Sequence, residues 1–104
     1  STAEKTLLWT NPSPTSEWPY GKKITLVGKK YAAYSIFCKR YATASNTDGA
    51  SCIAVRGANC YAAAGSYTRT VSISENEIAF SEPTGGNRTN VLPYQVFGIK
   101  GTEM

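Results

Sequence analysis

The sequence predicts an all-β chain, a small antiparallel β-sandwich or jelly-roll-like barrel of six to eight short strands. Three observations predict it. Tyr67–Ser74 reads YTRTVSIS, in which Tyr67, Val71 and Ile73 alternate with Thr68, Thr70 and Ser72, giving one apolar and one polar face. Turn-forming residues recur every ten or so positions, the spacing of short strands in a sandwich. Helix signals are poor, because the Ala-rich runs YAAYS and YAAAGSY are short and end on Gly or strand formers. At 104 residues the chain is one domain, 1–104. A chain of that size buries roughly two-thirds of its unfolded surface.

The elements follow in order. Leu7, Leu8 and Trp9 are an apolar first strand, expected beside the Pro93–Lys100 strand because sandwich termini commonly pair. Asn11–Pro19, rich in Pro, Ser and Thr, reads as a clasp across the domain end. Lys22–Val27 is a strand with Ile24 and Leu26 on one face. Tyr31–Tyr41 places Tyr34, Ile36 and Cys38 on one face and Ala33 and Phe37 on the other, the pattern of a central strand buried on both sides. Thr43–Ser51 is the loop best suited to mobility, and Cys52–Val55 is a short strand. Tyr67–Ser81 is a hairpin turning at Asn76, with Ile78 and Phe80 in phase on the return. After the loop EPTGGNRTN comes a last strand with Tyr94, Val96 and Gly98 on one side, Phe97 and Ile99 on the other, and Pro93 at its entry.

Charge and cysteine usage bound the function. The net charge is +4, and six of the eleven basic residues lie between Lys22 and Arg40, a window with no Asp or Glu. Such a window either steers an anionic partner or solvates strand ends and blunts an edge. The three cysteines, without CxxC or histidine, argue against a disulfide framework and a zinc site and point to free, partly buried thiols. No run of 18 apolar residues spans a membrane. The polar opening STAEKT lacks the apolar run of a secretory leader, and a first residue other than Met points to a piece of a longer protein or to a tag remnant.

Catalysis is not expected. Ser-His-Asp and Cys-His arrangements need the missing histidine, and no carboxylate sits in the apolar setting that a glycosidase acid requires. Gly85-Gly86 lacks the Lys and Ser/Thr of a phosphate loop. No cofactor or metal is expected. Asn87-Arg88-Thr89 matches a glycosylation acceptor by chance composition. A single-stranded nucleic-acid platform is a lesser alternative: Tyr31, Tyr34 and Tyr41 interleave with cations, but no RNP-like pattern appears. A saccharide site could draw on Trp9, Trp18, Tyr20, Tyr31, Tyr61 and Tyr67. Trp9 lies in an apolar run and packs inward, whereas Trp18, bounded by Pro and Ser, suits exposure as well as burial.

Several segments, in order, resemble a known family. LLWTNPSPTSEW, Arg69-Thr70-Val71, Ile78-Ala79-Phe80, Gly85-Gly86-Asn87 and Pro93-Tyr94-Gln95-Val96-Phe97-Gly98-Ile99 resemble C-terminal modules of tail fibre and minor structural proteins of phages and prophages, mostly of Gram-positive hosts. Ala42–Ala64 matches nothing in that pattern, and Trp18-Pro19-Tyr20 replaces its usual Phe-Ala-Ala. The resemblance implies a virion component, assembled in the host cytoplasm, whose tip recognises a bacterial surface glycan or teichoic acid. Its other implied partners are tail subunits and two further copies in a homotrimer. A purely structural or oligomerisation module is the alternative, and a small wall-glycan hydrolase a more distant one. Because loops carry function on a rigid scaffold, the candidate ligand-binding residues are Trp18, Tyr20, Lys29, Lys30, Tyr61, Asn87 and Arg88, together with the Asn46–Ser51 loop. Whether Cys52 and Cys60 pair is left open.

Overall fold

Period-two patterning builds the architecture strand by strand. In the computed structural model, which describes residues 4–104, the strands are β1 (Lys5–Thr10), β2 (Lys23–Thr25), β3 (Ala33–Lys39), β4 (Gly49–Val55), β5 (Cys60–Ala64), β6 (Tyr67–Ser74), β7 (Glu77–Phe80) and β8 (Leu92–Ile99). They form two antiparallel four-stranded sheets, ordered β1-β8-β3-β4 and β2-β7-β6-β5. This is the predicted β-sandwich. The first three residues of the STAEKT opening lie outside the described residues. No helix among the described residues is long and apolar enough to cross a membrane.

The core lies between the inner faces. Tyr34, Ile36, Cys38 and Val96 meet Ile24, Ala62, Val71, Ile78 and Phe80 from the facing sheet, all at or below 5% exposure. Each large aliphatic or aromatic side chain buried there contributes about 1.5–3 kcal/mol. Burial pushes the Cys38 thiol pKa well above its usual 9.0, so it behaves as an inert apolar group. Trp18 completes the core, edge-on to Trp9 at 6.0 Å and to Phe80 at 5.9 Å between ring centroids.

The terminal strands pair as expected: β1 runs along β8, with Trp9 opposite Val96. A bulge at Leu8 lets Trp9 face inward while Leu7 stays half exposed. Asn11 forms the clasp. Its backbone N–H donates to the Tyr94 carbonyl at 2.8 Å, its Nδ2 donates to the Pro93 carbonyl at 2.9 Å, and its Oδ1 accepts from the Ser13 N–H at 2.8 Å.

Other expectations need correction. The strand from Lys22 shortens to three residues. The loop Thr43–Ser51 contains a 3-10 turn, Asn46–Asp48, and the start of β4. β5 was invisible in the sequence: its alanines look helical, and only the facing sheet shows that Ala62 and Ala64 are buried. β3 is central, but Ala33 and Phe37 on its outer face are only half covered, because one side alone meets the second sheet. Tyr94 does not share a face with Val96. A bulge between Phe37 and Cys38 reverses it, and its ring packs edge-on to Phe37 at 6.2 Å.

The largest departure is Arg69. It stands on the apolar face of β6 between Tyr67 and Val71, and it is 1% exposed. Its Nε and Nη2 donate to the Asn90 carbonyl at 3.1 and 3.0 Å. Nη2 also donates to Arg88 O at 3.0 Å, and Nη1 to Trp18 O at 3.0 Å and Ser81 O at 3.2 Å. Burial lowers its pKa below that of a free guanidinium, but hydrogen bonds to four carbonyls replace water around the charge.

Replacing Arg69 by Met strips the Asn90, Trp18 and Ser81 carbonyls of these donors, while Arg88 O keeps the Trp18 backbone N–H, and a loss of about 3–5 kcal/mol in urea denaturation is expected. Arg69→Lys recovers only part of it, because a point charge with three donors cannot span the same four acceptors. A second test concerns Gly98, where an added Cβ would sit 2.5 Å from Tyr31 Cζ. Gly98→Ala is expected to cost about 1–3 kcal/mol through overpacking, read from the same urea midpoints.

Candidate functional site

Three segments converge where β3 ends and β6 begins. Arg40 and Tyr41 follow β3, Gly65, Ser66 and Tyr67 form the β5–β6 turn and its exit, and Asn87, Thr89 and Asn90 come from the β7–β8 loop. Between them lies an open cleft of about 490 Å³.

The local structure follows from the residues. Arg69 grips the Arg88 and Asn90 carbonyls from below. Above it Asn87 Oδ1 accepts from the Thr89 backbone N–H at 3.0 Å and from Thr89 Oγ1 at 2.7 Å, an Asx turn that orders the rim. Val91 then adopts φ 53° and donates its N–H to the Arg40 carbonyl at 3.1 Å. That left-handed conformation is strained for a β-branched residue, and the surrounding hydrogen bonds hold it. Across the cleft, Gly65 has φ 63°, and a Cβ there would lie 2.7 Å from Arg40 Cδ. Glycine therefore serves both the turn and the passage of the Arg40 stem. The Arg40 guanidinium lies over the Tyr41 ring at 4.7 Å, and its Nη2 donates to Tyr41 Oη at 3.0 Å. Its Nε is buried with no hydrogen-bond partner among the described residues.

The lining thus combines two tyrosine rings, amides, hydroxyls and one cation, without a carboxylate. Such a set suits a polyhydroxyl ligand: rings cover its C–H faces and amides and hydroxyls meet its oxygens. Among the described residues no three His, Cys, Asp or Glu side chains group to hold a metal ion.

The residues singled out by sequence scatter. Asn87 lies in the cleft. Arg88 is beside it, but its guanidinium is held by Glu82 through bonds of 2.8 and 3.1 Å. Trp18 is 1% exposed, its ring lies among core aromatics and under the Lys22 ammonium, and it offers no face to a ligand. Tyr20, 70% exposed, stands on the β1–β2 loop. Tyr61 is on the outer face of β5 opposite Thr70, in a separate shallow groove of about 290 Å³. Lys29 and Lys30 are at the far end, where Lys30 Nζ bonds Glu75 at 2.7 Å beyond the last residue of β6. The eight residues of β6 separate them from the cleft by roughly 25 Å. Asn46 and Ser51 line a groove on the outer face of the first sheet.

The basic window is not one patch. Lys23 faces Glu77 at 3.8 Å, Lys30 faces Glu75, and Lys22, Lys39 and Arg40 lie over Trp18, Tyr94 and Tyr41. Sequence reasoning missed Arg40, Ser66, Thr89 and Asn90 as a set. The available signals were Tyr67 directly after Gly65-Ser66 in the β5–β6 turn and the Asn-rich loop, but only the fold brings them together.

The rim has a pH dependence with a definite sign. Hydrogen bonding and charge from Arg88 hold the Glu82 carboxyl below its usual 4.5. The pair's contribution is therefore complete above pH 4.5 and is lost as pH falls through the lower folded value. Amide NMR shifts of Asn87 and Thr89 are expected to move in acid below pH 4.5, and Glu82→Gln to abolish that transition.

Comparison with protein-family models, with curated proteins and with solved structures returned no match.

Proposed function

We propose that this chain is a non-enzymatic saccharide-recognition domain that binds through the Tyr41–Tyr67 cleft. The observation that carries the reading is the cleft itself: a concave site of about 490 Å³ whose lining has aromatic, amide and hydroxyl groups and no acid pair. Loops tied to the core by Arg69 make it largely preformed, which lowers the ordering cost of binding. The resemblance of the opening and closing segments to phage tail modules supports a bacterial surface glycan or wall teichoic acid as the ligand, and a virion tail as the setting. The single cation of the cleft suits either a neutral or an anionic polymer.

A purely structural role is the second reading. The outer face of the first sheet favours it, with Leu7, Ile53 and Val55 between 42% and 55% exposed.

The test is retention on purified Gram-positive wall polysaccharide, followed by titration of the released fragments. Wild type is expected to bind. Tyr67→Ala and Asn87→Ala are expected to lose at least ~10-fold in affinity, the scale for truncating an anchor. Tyr20→Ala and Tyr61→Ala are expected to bind as wild type. No retention of wild type, or equal binding by Tyr67→Ala, overturns the reading.

A further inference from the structure

Two polar side chains of the cleft are held in place with their hydrogen-bonding capacity unspent. The first is Arg40, which lines the cleft and is partly buried. Its guanidinium is fixed over the Tyr41 ring, and Nη2 donates to Tyr41 Oη at 3.0 Å. Among the described residues no carboxylate pairs with it, and neither Nε nor Nη1 has an acceptor. Tyr41 Oη accepts in that contact, so its own O–H remains to donate. Adjacent donors on a cation with nothing to donate to are what an oxyanion completes.

The second is Asn90, which also lines the cleft and is 7% exposed. Its backbone carbonyl holds Arg69 from below, but its side-chain amide makes no hydrogen bond among the described residues. A polar group so deeply buried ordinarily has a partner. The Val91 N–H bonded to the Arg40 carbonyl sets the two residues side by side.

The charge around the site has one sign. The lining holds no carboxylate. Arg69, beneath Asn90, is met by carbonyls alone, and the nearby acids Glu82 and Glu17 act on Arg88. Arg40 is left without a counter-charge.

We propose that the cleft selects an acidic saccharide, one that carries a carboxylate or phosphodiester oxyanion beside a free hydroxyl. The proposal rests on the reading of the cleft as a saccharide site and narrows it. Arg40 and the Tyr41 O–H take the oxyanion. The Asn90 amide, donor and acceptor at once, takes the neighbouring hydroxyl. A neutral sugar would cover the Arg40 charge without compensating it, which costs affinity.

The experiment is calorimetric titration with fragments released from Gram-positive wall polysaccharide, before and after two treatments. Carbodiimide activation with borohydride turns carboxylates into neutral alcohols, and hydrofluoric acid cleaves phosphodiesters. Wild type is expected to lose at least ~10-fold in affinity after one treatment, the scale of a charge-assisted hydrogen bond, and the effective treatment identifies the oxyanion. Arg40→Met is expected to lose this discrimination. Asn90→Asp, which sets a like charge in the cleft at constant shape, is expected to weaken binding of untreated fragments at least ~10-fold. Lys29→Gln, which removes an exposed cation at the far end, is expected to bind as wild type. Near-ultraviolet circular dichroism checks the fold of each variant, and if Arg40→Met does not fold, Asn90→Asp decides alone. Equal affinity for treated and untreated fragments, with Tyr67→Ala still weakened, overturns this proposal and leaves the cleft reading standing. No binding of any fragment by wild type overturns both. Discrimination by Arg40→Met equal to that of wild type, or a loss in Lys29→Gln as large as in Arg40→Met, also overturns the proposal.

Discussion

The structure depends on one buried guanidinium. Arg69 sits where the alternation of β6 calls for an apolar side chain, and it gathers four carbonyls from three segments that have no sheet partner of their own. Without it, the β1–β2 loop, the end of β7 and the β7–β8 loop would each leave a carbonyl beside the core without a donor, a cost of ~1–3 kcal/mol apiece. Arginine suits this place because its rigid fork supplies five donors in one plane and stays charged when desolvated. The same anchor carries the Trp18 backbone. The tryptophan therefore enters the core, its backbone N–H donating to the Arg88 carbonyl at 2.9 Å.

A second arginine performs the matching task at the far end. Arg56 Nε and Nη2 donate to the Tyr31 carbonyl at 3.1 and 2.9 Å, Nη1 to the Glu75 carbonyl at 2.8 Å, and Nη2 to Tyr34 Oη at 3.2 Å. It thereby ties the β4–β5 turn to the β6–β7 turn across the two sheets. The three cysteines are free, so the sheets are joined without a disulfide, by apolar packing, by cation-to-carbonyl hydrogen bonds and by Cys60 Sγ of β5 accepting the Val55 N–H of β4. Two of the eleven basic residues are thus spent on backbone, and much of the basic window lies on aromatic rings or beside glutamates. The basic window therefore offers an anion no single local patch.

The strands were legible where side chains alternate strongly. Ile24 and Leu26, Tyr34 to Cys38, and Val71 with Ile78 and Phe80 lie inward as the pattern implies. The sequence failed where alternation is weak or broken. β5 is alanine, which carries no strand preference, and its burial comes from the opposite sheet. The bulges at Leu8 and at Phe37/Cys38 shift phase by one residue, which is why Tyr94 appears on the wrong side in a simple count. Trp18 looked like a loop aromatic because nothing local marks the backbone bonds that pull it inward. The cleft was least legible: Arg40, Tyr67 and Asn87 come from separate parts of the chain, and their meeting depends on Gly65, on the strained Val91 and on Arg69.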